Sequence, residues 1–312
     1  MNEFYRSLNI SKQSVHQYID RQQKVLSEQQ NLLLIIYQLR ADHPTMGCRD
    51  MYFKIGPMCM GRDAFERFCK EENLVVERPK NYQRTTDSRG VIRFENLLTD
   101  LEINKINQVW QSDITYYDVG GKFYYITFII DSFSRRIVGY CTSKRLYTEV
   151  TTLPSLKMAI KLRGKAALKG LIFHSDGGGQ YYDKAFLSLT REMNIQNSMC
   201  EAAWENGKAE RINGVIKNNY LKHRKINSYD ELVKEVDRSV SLYNAEKPHI
   251  KLQRKSPIEF EKEYICRGQS AEDEISTVKY NTAMKGTSAP HAGVLDKVPQ
   301  TQKSQQNITK WS

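Results

Sequence analysis

Three β-rich runs follow one another at residues 109–117, 122–131 and 136–142, separated only by short turns that include Gly120-Gly121. Val, Ile, Tyr, Phe and Thr dominate each run, which predicts three antiparallel strands. The pattern then alternates. A helical stretch at 148–162 precedes a short apolar run at 170–174, a helix at 183–193 and a brief strand at 195–198. Two helical stretches follow, at 207–221 and 229–244. Few α/β folds accept the order βββαβαβα, and the one it predicts is RNase H-like: a mixed five-stranded sheet flanked by helices.

Three acidic residues fall at informative places in that order. Asp113 lies in the first strand, in W-Q-S-D-I-T-Y; Asp176 directly follows the fourth, in H-S-D-G-G-G-Q-Y; Glu210 lies in the helical A-E-R-I-N-G-V-I-K, with 33 residues between it and Asp176. In an RNase H-like sheet the first and fourth strands are neighbours. The two aspartates are therefore expected side by side, with Glu210 brought in by a helix crossing them. Each residue alone has an ordinary reading, as a surface strand residue, a D-G turn and a solvated helical glutamate. Together they have the layout of a two-metal phosphoryl-transfer site, in which two Mg²⁺ or Mn²⁺ ions are held by carboxylate oxygens. Asp131 is read instead as the residue that ends the second strand and holds the F-S-R-R turn.

Basic residues extend the pattern. Lys217 is seven residues past Glu210, so two helical turns put it on the same face, where it would meet a phosphate as a point charge. His174 has two equal readings, as an orienter of Asp176 or a phosphate and as a satisfied structural histidine. Gln180 and Gly177–Gly179 suit a loop close to substrate. The formal net charge of +11 and pI near 9.2 favour a polyanionic partner.

Residues 1–77 read as helical. Ser11 would cap a helix presenting Lys12, Gln13, His16 and Gln17, as in the second half of a helix-turn-helix; an amphipathic helix follows at about 23–41. Two more, at 48–55 and 62–72, flank Gly56-Pro57 and would offer Arg62, Arg67 and Lys70 to DNA. A plain helical bundle with solvated charged faces is the competing reading. Residues 78–106 start polar and basic and read as a mobile linker, 107–262 as the catalytic core with its C-terminal helices, and 263–312 as a disordered tail.

Other classes are disfavoured. The six cysteines form no C-x-x-C pair and the six histidines no H-x-x-x-H pair, so no zinc module is expected. No apolar run reaches the 18 residues of a membrane span, and no signal layout opens the chain; a cytoplasmic protein, nucleoid-associated when bound to DNA, is the expectation.

W-Q-S-D-I-T-Y, I-I-D-S-F-S-R-R-I-V-G-Y, H-S-D-G-G-G-Q-Y, A-E-R-I-N-G-V-I-K and Y-N-A-E-K-P-H…S-P-I-E-F as a set resemble insertion-sequence transposases with a retroviral-integrase-type core. More narrowly, the chain looks like the second-frame product of two-frame bacterial elements, over residues 30–260. The resemblance implies metal-dependent cleavage and strand transfer of double-stranded DNA at element ends and target. Asp113, Asp176 and Glu210 would be the metal-binding triad, with Lys217 and Arg211 on the DNA. It also implies a homo-oligomer on DNA and an upstream-frame DNA-binding protein or fusion. A catalytically decayed or domesticated DNA-binding descendant is the alternative. The Asp176-to-Glu210 interval is two residues shorter than usual in the family, E-N-G replaces the usual D-N-A, and D-G-G-G replaces D-R-G.

Overall fold

The computed structural model describes residues 7, 11–76, 94–200 and 203–267. Its centre is a five-stranded sheet in the order β3-β2-β1-β4-β5, formed by β1 (Val109–Val119), β2 (Lys122–Asp131), β3 (Ile137–Ser143), β4 (Ile172–Ser175) and β5 (Gln196–Met199). β1, β2 and β3 are antiparallel, while β4 runs parallel to both β1 and β5. This is the RNase H-like sheet expected from the strand order. The β1–β2 hairpin turns on Gly120 and Gly121, with φ of 61° and 80°. Both values lie in the left-handed region that a two-residue hairpin turn with strand-matching twist requires.

Alternation along the strands sends side chains to two cores. On one face Ile126, Phe128 and Ile130 pack against Ile212 and Ile216 of α6 (Gly207–Asn219) and Leu232, Val236 and Val240 of α7 (Tyr229–Ala245). On the other, Trp110, Ile129 and Val138 meet Leu156 of α4 (Thr152–Arg163), while Phe173 meets Phe186 of α5 (Lys184–Glu192). Each fully buried large side chain contributes about 1.5–3 kcal/mol. Gly139 lets α4 lie close on β3, because a Cβ there would stand 2.2 Å from the Ser155 carbonyl oxygen.

The N-terminal region consists of α1 (Lys12–Asp42), α2 (Cys48–Ile55) and α3 (Arg62–Glu71) around Leu32, Ile36, Met51, Phe65 and Phe68. Ser11 caps α1 as expected, its hydroxyl accepting from Ser14 N at 3.0 Å. The separate helices expected on either side of residue 20 are corrected to this one 31-residue helix. No Gly or Pro interrupts D-R-Q-Q at 20–23, so nothing stops propagation. The basic run at 78–93 lies outside the described residues, but 94–106 is tied to the sheet. Leu97 N donates to Ser198 Oγ at 2.9 Å, and the ring of Phe94 stacks on Tyr182. The chain is helical again at 257–267, where a disordered tail was expected to begin at 263; Ser256 and Glu259 form a reciprocal capping box. Among the described residues no helix is long and apolar enough to cross a membrane.

Candidate active site

The sheet register fixes where two aspartates meet. β4 pairs with β1 only over Val109–Ser112, ending at Ser112 opposite Ser175. Asp113 and Asp176 are the next residues on each strand. Beyond that point β1 has no described neighbour on its β4 side, so its edge opens where Asp113 stands. Glu210 lies in the first turn of α6, the helix that crosses this end of the sheet.

α6 is registered on β1 by side chains. Asn206, just before it, donates to Ser112 O at 2.8 Å, and Gln111 donates to Glu205 O at 3.3 Å. Ala209, Ile212 and Ile216 go into the core beneath. The neighbouring stripe, Glu210, Asn213 and Lys217, follows helical spacing along the strand. Asn213 Nδ2 donates to Asp113 Oδ2 at 2.7 Å, and Lys217 Nζ donates to Thr115 Oγ1 at 3.2 Å while lying 4.9 Å from the Tyr116 ring centre. Asp113 Oδ1 accepts from Ile114 N at 2.9 Å.

The loop after β4 shapes the other side. Asp176 Oδ1 accepts from Gly178 N at 3.2 Å, and a Cβ on Gly178 would lie 3.1 Å from that same oxygen. Tyr182 Oη donates to Asp176 O at 3.0 Å, and Tyr181 Oη pairs with Ser112 Oγ at 2.9 Å beneath the loop. The Gln180 carbonyl accepts from the Thr148 and Thr152 hydroxyls, and its side-chain amide donates to Leu146 O at 3.3 Å. Gln180 thus joins this loop to the one before α4.

The electrostatics are those of crowded anions. Burial, then the nearby Asp176 and Glu210, push Asp113 up to about 7 against the hydrogen bonds from Ile114 and Asn213. Burial and Glu210 also raise Asp176. Burial, and then Lys222, lower the Lys217 ammonium, while Asp113 works the other way. An all-carboxylate donor set suits a hard divalent cation. Asn213 Oδ1 is buried without a protein partner. Among the described residues no three ligating groups already converge on one point, so an ion would have to draw the carboxylates together.

Other expected residues lie elsewhere. Of its two readings, the position of His174 favours the structural one, although its Nε2 is buried without a protein partner. It is fully buried on β4 with Nδ1 2.9 Å from Ser198 Oγ, burial lowers it to about 4, and it reaches no surface where a phosphate could sit. Arg211 is exposed and lines a groove of about 460 Å³ with Glu210, Gly214 and Asn218. Arg62, Arg67 and Lys70 are exposed on α3, Arg62 pairing with Asp63 at 2.8 Å. Asp131 holds its turn as read, accepting from the backbone N–H groups of Asn107, Phe133 and Ser134. Asn213 was not singled out from the sequence, although its place three residues after Glu210 marks the same helix face. Nothing local marks Ser112 or Tyr181.

Residues 104–203 and 191–257 each match a family model described as an integrase core domain. The chain is 28% identical to the 31 kDa protein of insertion element IS600 from Shigella sonnei, over 80% of this chain and 92% of that one. It is 30% identical to the transposase of IS904 from Lactococcus lactis, over 50% and 62% of the two chains. It is 28% identical to the transposase of IS629 from Shigella sonnei, over 61% and 64%. Among solved structures, the HTLV-2 integrase catalytic core domain aligns with 49% of this chain and 95% of its own, at 22% identity and a TM-score of 0.40.

Proposed function

We propose, from the premise that residues 104–257 are an integrase core domain and that the chain's relatives are insertion-element proteins with transposases among them, that this chain is a DDE transposase. It would cut DNA at the ends of an insertion element and join the freed ends to a target. The observation that carries the reading is the meeting of Asp113 and Asp176, each one residue past the end of the parallel β1–β4 pairing, under the helix bearing Glu210.

In this reading Asp113, Asp176 and Glu210 hold two Mg²⁺ or Mn²⁺ ions. When bound, such ions activate the attacking oxygen and stabilise the leaving one. The chain's own residues do the rest. Asn213 fixes the Asp113 carboxylate by its 2.7 Å bond. Asp113 must ionise to bind a cation, and its proton leaves near pH 7. Lys217, held by Thr115, offers its ammonium to the phosphodiester beside the triad. The α1–α3 region would read the element's terminal repeats with Arg62, Arg67 and Lys70. Synapsis of two ends would need at least two copies, and an upstream-frame protein or fusion would supply further DNA contacts.

Strand transfer from an element-end duplex in Mg²⁺ tests the reading. Asp113→Asn is expected to fall by several orders of magnitude; a wild-type rate in that variant overturns the assignment. The competing reading is a non-catalytic DNA-binding descendant. Titration calorimetry with Mn²⁺ separates the two, because the descendant binds none.

A further inference from the structure

Large apolar side chains are normally withdrawn from water, so two adjacent exposed aromatic rings beside a polar site call for a reason. Tyr116 and Phe123 are 60% and 58% exposed, and their rings meet edge to face with centres 5.4 Å apart. Both lie towards the turn end of the β1–β2 hairpin, beyond the stretch of β1 that β4 covers. Tyr116 is three residues from Asp113, roughly 10 Å along an extended strand, which is about three stacked nucleotides. By strand alternation it stands on the face opposite Asp113. Lys217 joins the two faces across the uncovered edge, touching Thr115 on one and the Tyr116 ring on the other.

We propose that Tyr116 and Phe123 form a stacking platform for an unpaired nucleobase of the DNA held at the triad; this rests on the DNA-processing reading above. Within a duplex both faces of each base are covered, so a base offers a face to an aromatic ring only at an end or where it is unpaired. A site acting on DNA ends brings such bases within reach. Lys217 supplies the cation for the backbone phosphate of that nucleotide, so ring, charge and triad follow one strand. Stacking accepts any base, so the platform contributes affinity and orientation without sequence readout.

The test is DNA binding by the full chain without divalent metal, which removes turnover. The probes are a blunt duplex and the same duplex with a short overhang containing 2-aminopurine. The wild type should quench the 2-aminopurine and prefer the overhang. The Tyr116→Ala/Phe123→Ala double variant should lose the quenching and about ten-fold in overhang affinity, with blunt binding retained, whereas Tyr116→Trp should keep both. Retained quenching in the double variant, or an equal loss on both duplexes, overturns the platform. So does a fall in oligomer mass by sedimentation, which would make the patch a contact between copies. A wild type that binds neither duplex overturns the DNA-processing reading itself, and the platform with it.

Discussion

Asp113 is ionised at a cost. Its carboxyl is raised from 3.8 to about 7, first by burial and then by Asp176, so the folded chain binds this proton more tightly than the unfolded one. The stability tied to this group is therefore greatest below about pH 4, falls as pH rises towards 7 and stays low above it. Asp113→Asn removes the charge and keeps the shape. Without metal at pH 8 the variant is expected to be more stable than wild type by roughly 1–4 kcal/mol in chemical denaturation, with the gain gone at pH 4. A variant destabilised at pH 8 would contradict the crowded-anion description. The same residue shows how far one position can be read. Its chemical type and strand context were visible in W-Q-S-D-I-T-Y. The bond from Asn213 was not, because it spans 100 residues of chain. His174 marks the opposite limit. Two residues before Asp176 in sequence, it sits on a strand covered on both faces, so adjacency in sequence did not become adjacency at the site.

At the scale of elements, two close approaches hold the frame around the triad. The first is α4 on β3 at Gly139. Gly139→Ala forces a methyl group into the Ser155 carbonyl, and a loss of about 1–3 kcal/mol is expected in thermal or urea unfolding. The second is a buried ionic group. Glu261 accepts from Arg136 at 2.7 Å, from Ser134 at 2.6 Å and from both terminal nitrogens of Arg163, whose guanidinium also stands 3.8 Å from Asp131. Burial opposes the Glu261 charge, yet Arg163, Ser134 and Arg136 together hold its carboxyl below the usual range. Glu261→Leu leaves two guanidinium groups partly or wholly buried without this partner, and a loss of about 3–5 kcal/mol is expected. Glu261 is the residue directly after the S-P-I-E-F segment. Asn244, in Y-N-A-E-K-P-H, acts on the same turn, its amide both donating to Ile137 O and accepting from Ile137 N at 2.9 Å. Together Asn244 and Glu261 clamp the turn after β2. The core strands and helices were legible because β-branched alternation, glycine turns and helical periodicity are local signals. The merging of α1 was not, since only the absence of a breaker announces it.

Over the whole molecule, the N-terminal helices and the five-stranded sheet belong to one compact unit. His43, 3% exposed, lies 3.2 Å from the Tyr220 hydroxyl through Nδ1 and 3.4 Å from Glu246 through Nε2. Around it Arg238 pairs with Asp42 at 2.6 Å, Arg224 donates to Ala41 O at 2.6 Å and Lys54 pairs with Glu246 at 3.2 Å. Burial lowers His43, with Glu246 opposing. The folded chain therefore keeps this imidazole neutral, and the unfolded chain takes up its proton first as pH falls through about 6.5. Acidification from pH 7 to 5 should cost the wild type more in Tm than His43→Gln, and equal losses would remove His43 from the account. If the triad holds cations, saturating Mg²⁺ or Mn²⁺ at about 100 times its Kd should add about 2.7 kcal/mol of stability to wild type and much less to Asp113→Asn, read by calorimetry.

The sequence by itself determined the order of the elements, the RNase H-like class and the elements that carry the acidic residues, because strand alternation, glycine turns and helical periodicity act over a few residues. It also carried the likeness to insertion-element transposases. Tertiary structure decided which neighbours those residues acquired. The pairing of Ser112 with Ser175 put Asp113 beside Asp176, and the packing of α6 laid Asn213 and Lys217 along β1. Burial then moved Asp113 from an ordinary carboxylate to one that titrates near neutrality. Charge interaction and desolvation depend on distance and on exclusion of water, and neither is set until distant parts of the chain have packed.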